Sequence, residues 1–236
     1  MSFYLSNKQS FNDVSRGIIV PSTYSVKLAE FFGILTGDGY IGAYLPKREY
    51  VVYVSEDKRY DYTYLSGYVS SLCLSLFNVK PKIYLSKKTN AMNLRISSKA
   101  VYYFLLNSGF KTGKKEQIGI PDWIIKNEEF MVAFLRGLFD TDGSFSVNKK
   151  NYPRIQFSSK GVILVNLVSK WLDKFNIKHS TFFETRTNVD STKTFFITRL
   201  YIRGRVNVQL GIKLIGFANC KHLNKIEKWA RRDLNT

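Results

Sequence analysis

Apolar residues at helical spacing mark the first patterned segment of the chain. Val26, Ala29 and Phe32 recur every three residues, and this spacing predicts an amphipathic helix that ends at Asp38. Gly39 follows directly, and we expect it to cap the helix in the left-handed conformation that glycine adopts most readily. The chain before this helix shows no regular pattern and is predicted to be an irregular lead-in.

Runs of β-branched and aromatic residues then alternate with segments of helical spacing. In the first half the pattern predicts strands at 49–55, 81–85 and 92–96 and helices at 62–77 and 98–106. In the second half it predicts helices at 128–141 and 161–175, strands at 144–147, 154–157, 180–185 and 194–202, and a last helix from about Lys221. We expect each half to have the order α-β-β-α-β-β-α, with three of the four strands visible in the pattern of the first half.

This order predicts an α+β fold of two pseudo-symmetric repeats, residues 1–120 and 121–236, each with a four-stranded antiparallel sheet. A nine-residue string supports the duplication. Residues 31–39 read FFGILTGDG and residues 135–143 read LRGLFDTDG, so each is an apolar run with glycine third and Asp-Gly last. A shorter echo pairs FNVK with FNIK later in each repeat.

Small residues on one face of each motif helix predict a close contact between the helices. Gly33 and Gly37 are four residues apart and share a face, and Gly137 and Thr141 hold the matching places. Small side chains allow axes to approach to about 8–10 Å or less. We therefore expect the two helices to pack on a pseudo-twofold axis between the repeats.

Such packing would bring Asp38 and Asp142 to neighbouring helix C-termini, where unpaired carbonyl oxygens and the helix dipoles add negative potential. Mg²⁺ prefers carboxylates, carbonyl oxygens and water, so the site could hold this cation with the backbone oxygens of Gly37 and Thr141 as further ligands. A single Asp-Gly would be better explained as a helix cap. A calcium loop is excluded, since residues 144–147 continue as a strand.

The charge balance points to a polyanionic partner. The chain has 36 Lys+Arg against 18 Asp+Glu, a net charge of +18, and these basic residues are dispersed as expected for a folded basic surface. Hydrophobic residues make up 44%, enough for a core. No apolar run is long enough for a membrane span, and no leader pattern is seen, so a cytoplasmic protein is expected.

Cysteine and histidine are too few for a zinc site. Cys73 and Cys220 lie far apart in apolar surroundings and are expected to be buried free thiols, and the chain has two histidines.

The two motifs resemble the paired signature of the LAGLIDADG homing endonucleases, in particular the single-chain, two-repeat members carried in archaeal introns. The resemblance implies motif helices packed at the repeat interface and sheets that form a saddle on DNA. It also implies a sequence-specific, metal-dependent endonuclease that cuts both strands and leaves short 3′ overhangs. Asp38 and Asp142 match the family's metal-binding eighth position, with Mg²⁺ as cofactor and Mn²⁺ or Ca²⁺ able to replace it for binding.

The resemblance further implies a basic active-site residue late in each repeat. Lys221 matches in the second repeat, and either Lys114 or Lys115 matches in the first. Just after the second strand the family often has a polar residue followed by a basic one, which makes Lys160 a candidate. The first repeat departs there, because acidic Glu56 and Asp57 precede its lysine.

The sixth motif position differs between the repeats, with Thr36 in the first and Asp140 in the second. That position is generally not the catalytic one in the family, so the departure puts little in doubt. The inequality of the halves predicts a long target that need not be a palindrome, bound by a monomer without an obligate protein partner.

Alternation along the strands assigns their faces. The residues expected in the core are Val52, Val54, Leu94, Ile96, Ile155, Phe157, Leu200 and Ile202. The residues expected to face DNA are Tyr53, Lys82, Tyr84, Arg95, Arg154, Gln156, Arg199 and Tyr201. Lysines at turns suit phosphate contacts, namely Lys87, Lys88, Lys149 and Lys150.

Two other functions compete with DNA cleavage. A non-cleaving nucleic-acid binder, such as an intron RNA maturase, would use the same scaffold. Binding alone does not require Asp38 and Asp142 to face phosphates, so their presence favours cleavage. A basic protein–protein adaptor gives no reason for the paired motif.

Overall fold

Two four-stranded antiparallel sheets, one in each half of the chain, organise the protein. The computed structural model describes residues 9–113, 119–187 and 194–233. The first sheet contains β1 (Gly39–Tyr44), β2 (Glu49–Asp57), β3 (Lys82–Leu85) and β4 (Ala91–Ser97) in the order β1-β2-β4-β3. The second contains β5 (Gly143–Val147), β6 (Pro153–Ser159), β7 (His179–Thr187) and β8 (Thr194–Arg203) in the order β5-β6-β8-β7. The identical strand order confirms the predicted α+β fold of two repeats.

Helices cover one side of each sheet. The first half has α1 (Phe11–Ser15), α2 (Val26–Asp38), α3 (Lys58–Thr63), α4 (Ser70–Phe77) and α5 (Lys99–Asn107). A π-helical segment, Tyr64–Val69, joins α3 to α4. The second half has α6 (Asp122–Ile125), α7 (Glu128–Thr141), α8 (Val162–Lys174), α9 (Arg205–Leu214) and α10 (Cys220–Asp233).

The two motif helices, α2 and α7, begin at side-chain caps. Ser25 Oγ accepts a hydrogen bond from Leu28 N at 3.2 Å, and Asn127 Oδ1 accepts one from Phe130 N at 3.1 Å. Each cap satisfies one of the unpaired N–H groups that start a helix. The helices therefore begin where sequence-encoded caps precede their apolar runs.

The strands have one buried and one polar face, as their alternation predicts. Each predicted core residue is at most 2% exposed, and the set is Val52, Val54, Leu94, Ile96, Ile155, Phe157, Leu200 and Ile202. Among the described residues, no helix combines the length and hydropathy needed to cross a bilayer. The boundary near residue 120 stays a prediction.

The predicted left-handed cap at Gly39 is wrong. Its backbone is extended, with φ −93° and ψ 159°, and it opens β1 directly. Glycine is needed there for a different reason: a Cβ would lie 2.4 Å from the carbonyl oxygen of Leu35. Gly143 has the same constraint, since its Cβ would lie 2.4 Å from the carbonyl oxygen of Phe139.

The sequence pattern missed the strand β1 and the helices α1 and α9. The helix α9 occupies the place in the second repeat that α5 has in the first, so α10 is an additional element. The lead-in contains α1, whose Asp13 accepts from Ala100 N at 3.1 Å and docks the segment on α5. Cys73 is buried, as expected, but Cys220 is only half-buried; both are free thiols.

Candidate active site

The two motif helices touch backbone to backbone at their third-position glycines. A Cβ on Gly33 would lie 2.1 Å from the carbonyl oxygen of Phe134. A Cβ on Gly137 would lie 2.2 Å from the carbonyl oxygen of Glu30. Real Cβ atoms do not approach so closely, so both positions require glycine. The contact is reciprocal, as expected for helices that cross on a pseudo-twofold axis.

The same contact continues to the ends of the helices, where the two acidic residues lie. A Cβ on Gly37 would lie 1.9 Å from Thr141 Oγ1 and 3.6 Å from Asp142 N. Asp38 is the last residue of α2, and Asp142 follows α7 directly. Both are half-buried. The fold therefore places both predicted carboxylates at one end of the helix pair.

Glu56, at the end of β2, interacts electrostatically with both Asp38 and Asp142. Its pKa is raised to about 9, first because burial removes solvent and then because Asp38, Asp61 and Asp142 are negative neighbours. The ammonium of Lys221 opposes this shift. We call Glu56 and the three carboxylates that act on it electrostatically the carboxylate cluster: Asp38, Glu56, Asp61 and Asp142.

The donor set of this cluster suits a hard divalent cation. Asp38 and Asp142 offer carboxylate oxygens, and the ends of α2 and α7 offer backbone carbonyls of Gly37 and Thr141. Within the described ranges, no three His, Cys, Asp or Glu side chains converge in a ready-made cage. A cation held by two carboxylates would therefore keep positions for water and a phosphate, as Mg²⁺ usually does. Burial is the first cause of the raised pKa of Glu56, and the negative potential of its acidic neighbours, which a cation would offset, adds to it.

Lys221 reaches the carboxylate cluster from the second repeat. Its Nζ lies 2.8 Å from Asp61 Oδ1, and its side chain is 22% exposed. Asp61 also accepts a hydrogen bond from Asn219 Nδ2 at 2.7 Å. The predicted active-site lysine thus pairs with Asp61, and it acts electrostatically on Glu56, as Asp38 and Asp142 do. No sequence pattern indicated this partner.

Asp140 at the sixth motif position anchors the segment that carries this lysine. The carboxylate is fully buried and accepts hydrogen bonds from Ala218 N and Asn219 N, each at 2.9 Å. Burial raises its pKa to about 7, while these two N–H groups act in the opposite direction. In the first repeat, Thr36 instead donates its hydroxyl to Phe32 O, 2.8 Å away in its own helix.

A second ion pair crosses between the repeats at the other end of the motif helices. Glu30, 2% exposed, accepts from the guanidinium of Arg136 and from the hydroxyl of Tyr68, the latter at 2.6 Å. Tyr68 belongs to the π-helical segment and stacks on Tyr64, whose hydroxyl lies 3.5 Å from Asp140 Oδ2. This segment therefore touches acidic groups of both motif helices.

The other predicted lysines are placed differently. Lys160 is exposed, and its Nζ lies 4.1 Å from the centre of the Phe195 ring. Lys114 and Lys115 lie outside the described residues.

The polar sheet faces hold the residues predicted to face DNA. In the first sheet one cross-strand row contains Tyr40, Tyr53, Arg95 and Lys82. The equivalent row in the second sheet contains Ser144, Gln156, Tyr201 and Ser180. Tyr84 is exposed, as are the four turn lysines Lys87, Lys88, Lys149 and Lys150. The two faces therefore have the same layout with different side chains.

Several of the predicted DNA-facing groups already have partners within the protein. Tyr201 is 9% exposed, because the guanidinium groups of Arg154 and Arg203 lie 5.6 and 4.4 Å from its ring centre. Arg95 pairs with Glu49, and Arg199 lies 2.7 Å from Glu184.

Sequence reasoning missed Arg203, which alternation would have assigned to the same face as Tyr201. It also missed the roles of Asp61, Asn219 and Glu30. These three act across large sequence separations, and no local pattern signals such contacts.

Comparison with known proteins agrees with this architecture. A model of the LAGLIDADG-like domain matches residues 129–216. The chain is 25% identical over 206 residues to homing endonuclease I-DmoI of Desulfurococcus mucosus, covering 84% of this chain and 90% of that protein. A crystal structure of I-DmoI in complex with DNA and Mn has a TM-score of 0.55 at 23% identity and covers 81% of this chain and 96% of that one.

A second structure, I-WcaI bound to its DNA recognition sequence, has a TM-score of 0.52 at 16% identity and covers 90% of each chain. At this identity it shows the shared fold alone. The matched domain, the relative that covers most of the chain and the paired motif helices make this chain similar to the LAGLIDADG homing endonucleases.

Proposed function

We propose that this protein is a sequence-specific, metal-dependent DNA endonuclease that hydrolyses one phosphodiester in each strand of a duplex and leaves short 3′ overhangs. The observation that carries the proposal is the contact of Gly37 with Thr141, because it brings Asp38 and Asp142 together at adjacent helix ends. Two half-buried carboxylates in a chain of net charge +18 suit a cation that meets phosphate. I-DmoI, the relative described above, supports the same activity.

Asp38 and Asp142 would hold the cation, with the carbonyl oxygens of Gly37 and Thr141 as further ligands. Mg²⁺ would polarise the scissile phosphate and favour ionisation of the attacking water. Lys221 would offset the charge that develops on the phosphate. Water is the nucleophile in this reaction, so no side chain needs to form a covalent bond to DNA.

The polar sheet faces would lie on the major groove, which a two-stranded β-ribbon can enter. Arg95, Arg154 and Gln156 would read base edges, and the exposed turn lysines would contact phosphates. Because the equivalent rows of the two sheets differ, the two halves of the target would differ as well. One chain supplies both metal-binding carboxylates, so a monomer would suffice.

Cleavage of a randomised duplex library in Mg²⁺, followed by sequencing of the cut ends, tests this function directly. We expect one long preferred site without twofold symmetry and short 3′ overhangs. Affinity for that duplex should fall steeply with salt, as for about 6–10 phosphate contacts. Absence of cleavage, or binding that is insensitive to ionic strength, would count against the proposal.

Substitution of the carboxylates tests the proposed metal site. Asp38→Asn and Asp142→Asn should each abolish cleavage and leave affinity in Ca²⁺ unchanged or tighter. Asp122→Asn is the matched control, because this exposed carboxylate on α6 pairs only loosely with Lys126 at 3.5 Å. If affinity and cleavage fall in parallel in the first two variants, the metal role is wrong.

A further inference from the structure

Asp61 connects the first repeat to the active-site segment of the second. It lies on α3 and is 2% exposed. Both of its described polar partners, Lys221 Nζ at 2.8 Å and Asn219 Nδ2 at 2.7 Å, come from the other repeat. A buried carboxylate that accepts its hydrogen bonds from groups of another repeat orients those groups.

We propose that Asp61 is a positioning residue that holds the Lys221 ammonium beside Asp38 and Asp142, so that one repeat orients the active-site lysine of the other. This inference rests on the proposed function, since it takes Lys221 to act on the scissile phosphate. It assigns Asp61 no contact with DNA.

The need for such a residue follows from the chemistry of lysine. Its ammonium is a point charge on a flexible four-carbon stem that can adopt many rotamers. Lys221, Asp38 and Asp142 all act electrostatically on Glu56, so the ammonium and the two carboxylates share one part of the molecule. An ammonium that paired with either aspartate would occupy the oxygens needed by the cation. The bond to Asp61 holds the charge at the edge of the cluster instead.

The orientation of Asp61 and Lys221 is fixed from several sides. Asn219 donates to Asp61 Oδ1 and also to the backbone oxygen of Asp140 at 3.1 Å. Asn219 Oδ1 accepts from Lys221 N at 3.1 Å. Asp140 holds Ala218 and Asn219 through their N–H groups. The lysine is therefore bound to Asp61 through its side chain and to Asp140 through its backbone segment.

A double-mutant cycle tests this role. The enzyme, in Mg²⁺, is mixed in excess with the duplex that wild type cleaves, and the single-turnover rate is measured for Asp61→Asn, Lys221→Met and both together. We expect Asp61→Asn to lower the rate by about 10- to 100-fold, as a small misplacement of a catalytic group does, with unchanged affinity in Ca²⁺. The double variant should be no slower than Lys221→Met alone. Additive losses, or a wild-type rate for Asp61→Asn, would overturn the proposal.

Glu30→Gln is the matched control. Glu30 is equally buried and pairs with Arg136 across the same repeat interface, about 12 Å along α2 from Asp38. A purely structural loss would affect both variants, whereas positioning predicts a slower rate for Asp61→Asn alone. If Asp61→Asn does not fold, Asp61→Glu replaces it; this variant keeps the charge but displaces the carboxylate, and it must still slow cleavage without weakening binding.

Acetylation of lysines with a succinimidyl ester, mapped by mass spectrometry, needs no DNA. Lys221 should react several-fold faster in Asp61→Asn than in wild type or Glu30→Gln, because its ammonium loses a charged partner. Equal reactivity in all three would overturn the positioning role. If Lys221 is protected by Asp61 but wild type cleaves no duplex, the proposed nuclease function is wrong while the contact stands.

Discussion

The motif helices of the two repeats make equivalent contacts with each other, but their side chains form different hydrogen bonds with the surrounding structure. Gly33 and Gly137 make reciprocal backbone contacts. At the sixth motif position, Thr36 bonds to its own helix, whereas Asp140 holds the segment before Lys221. A duplicated helix can therefore keep its packing face while one copy forms a new link to another segment. We call such a hydrogen-bonded link between distant segments a tether. The symmetry of the fold belongs to the backbone contact, and the asymmetry belongs to side chains around the carboxylate cluster.

A larger side chain in the contact between the two motif helices should have the largest effect on stability. Gly33→Val or Gly137→Val would drive a side chain into a backbone carbonyl, which cannot move without separating the helices. We expect each to lose more than about 3 kcal/mol of the free energy of unfolding, measured by urea denaturation. Equal losses would show that both repeats depend on the contact alike.

Gly67→Ala is the control for these variants. This glycine lies in the π-helical segment, and a Cβ there would meet nothing within 4 Å. We expect a change between zero and a gain of about 1 kcal/mol, through the lower entropy of the unfolded chain. A large loss here would mean that any glycine substitution is harmful, and that the helix contact is not what makes Gly33 and Gly137 intolerant of a side chain.

The sixth motif position should contribute more to stability in the second repeat than in the first. Asp140→Ala would leave the buried N–H groups of Ala218 and Asn219 without their acceptor, at a cost of about 3 kcal/mol. Thr36→Val removes a single hydroxyl bond within α2 and should cost about 1 kcal/mol or less. Urea denaturation measures both, and equal losses would contradict the tether assigned to Asp140.

The sequence predicts the elements of this fold far better than it predicts the tethers. Helical spacing, strand alternation and the duplicated string depend on neighbours within a few residues, and they gave the helix pair, the core faces and the position of Asp38 and Asp142. The bond from Asp61 to Asn219 spans 158 residues and depends on how the repeats pack. The cap at Gly39 failed for a related reason, because the need for glycine came from the chain folding back on Leu35.

Acid should weaken the second repeat through its extra helix. His222 on α10 is 1% exposed, and its pKa is lowered to about 3, first by burial and then by Lys221 and Lys225. The neutral ring is favoured in the folded state, so stability is complete above the unfolded pKa of about 6.5 and is lost as pH falls from there toward 3.

The slope for this single group is at most about 1.4 kcal/mol per pH unit, or about 2 kcal/mol between pH 6.5 and 5. Urea unfolding of wild type and His222→Leu at several pH values in this range measures it. The free energy of unfolding of His222→Leu should lack this part of the pH dependence. If both proteins lose stability in parallel, His222 is not the responsible group.

The smallest expected effect compares two asparagines that end equivalent helices. Asn78 and Asn176 both have left-handed backbones, with φ 50° and 56°. Replacement of either by alanine should cost about 1 kcal/mol, because a Cβ crowds the backbone there without the local hydrogen bonding that asparagine offers. Asn78 also donates from Nδ2 to the backbone oxygen of Gly17 at 2.9 Å, which ties the chain after α1 to α4.

Asn78→Ala should therefore lose about 1 kcal/mol more than Asn176→Ala in urea denaturation. Asn78→Gly and Asn176→Gly isolate that bond, because glycine adopts the same backbone freely. Asn176→Gly should stay near wild type, whereas Asn78→Gly should still lose the bond to Gly17. Equal stability of the two glycine variants would mean that the tie to the lead-in contributes nothing, and that the two helix ends are equivalent in energy as well as in conformation.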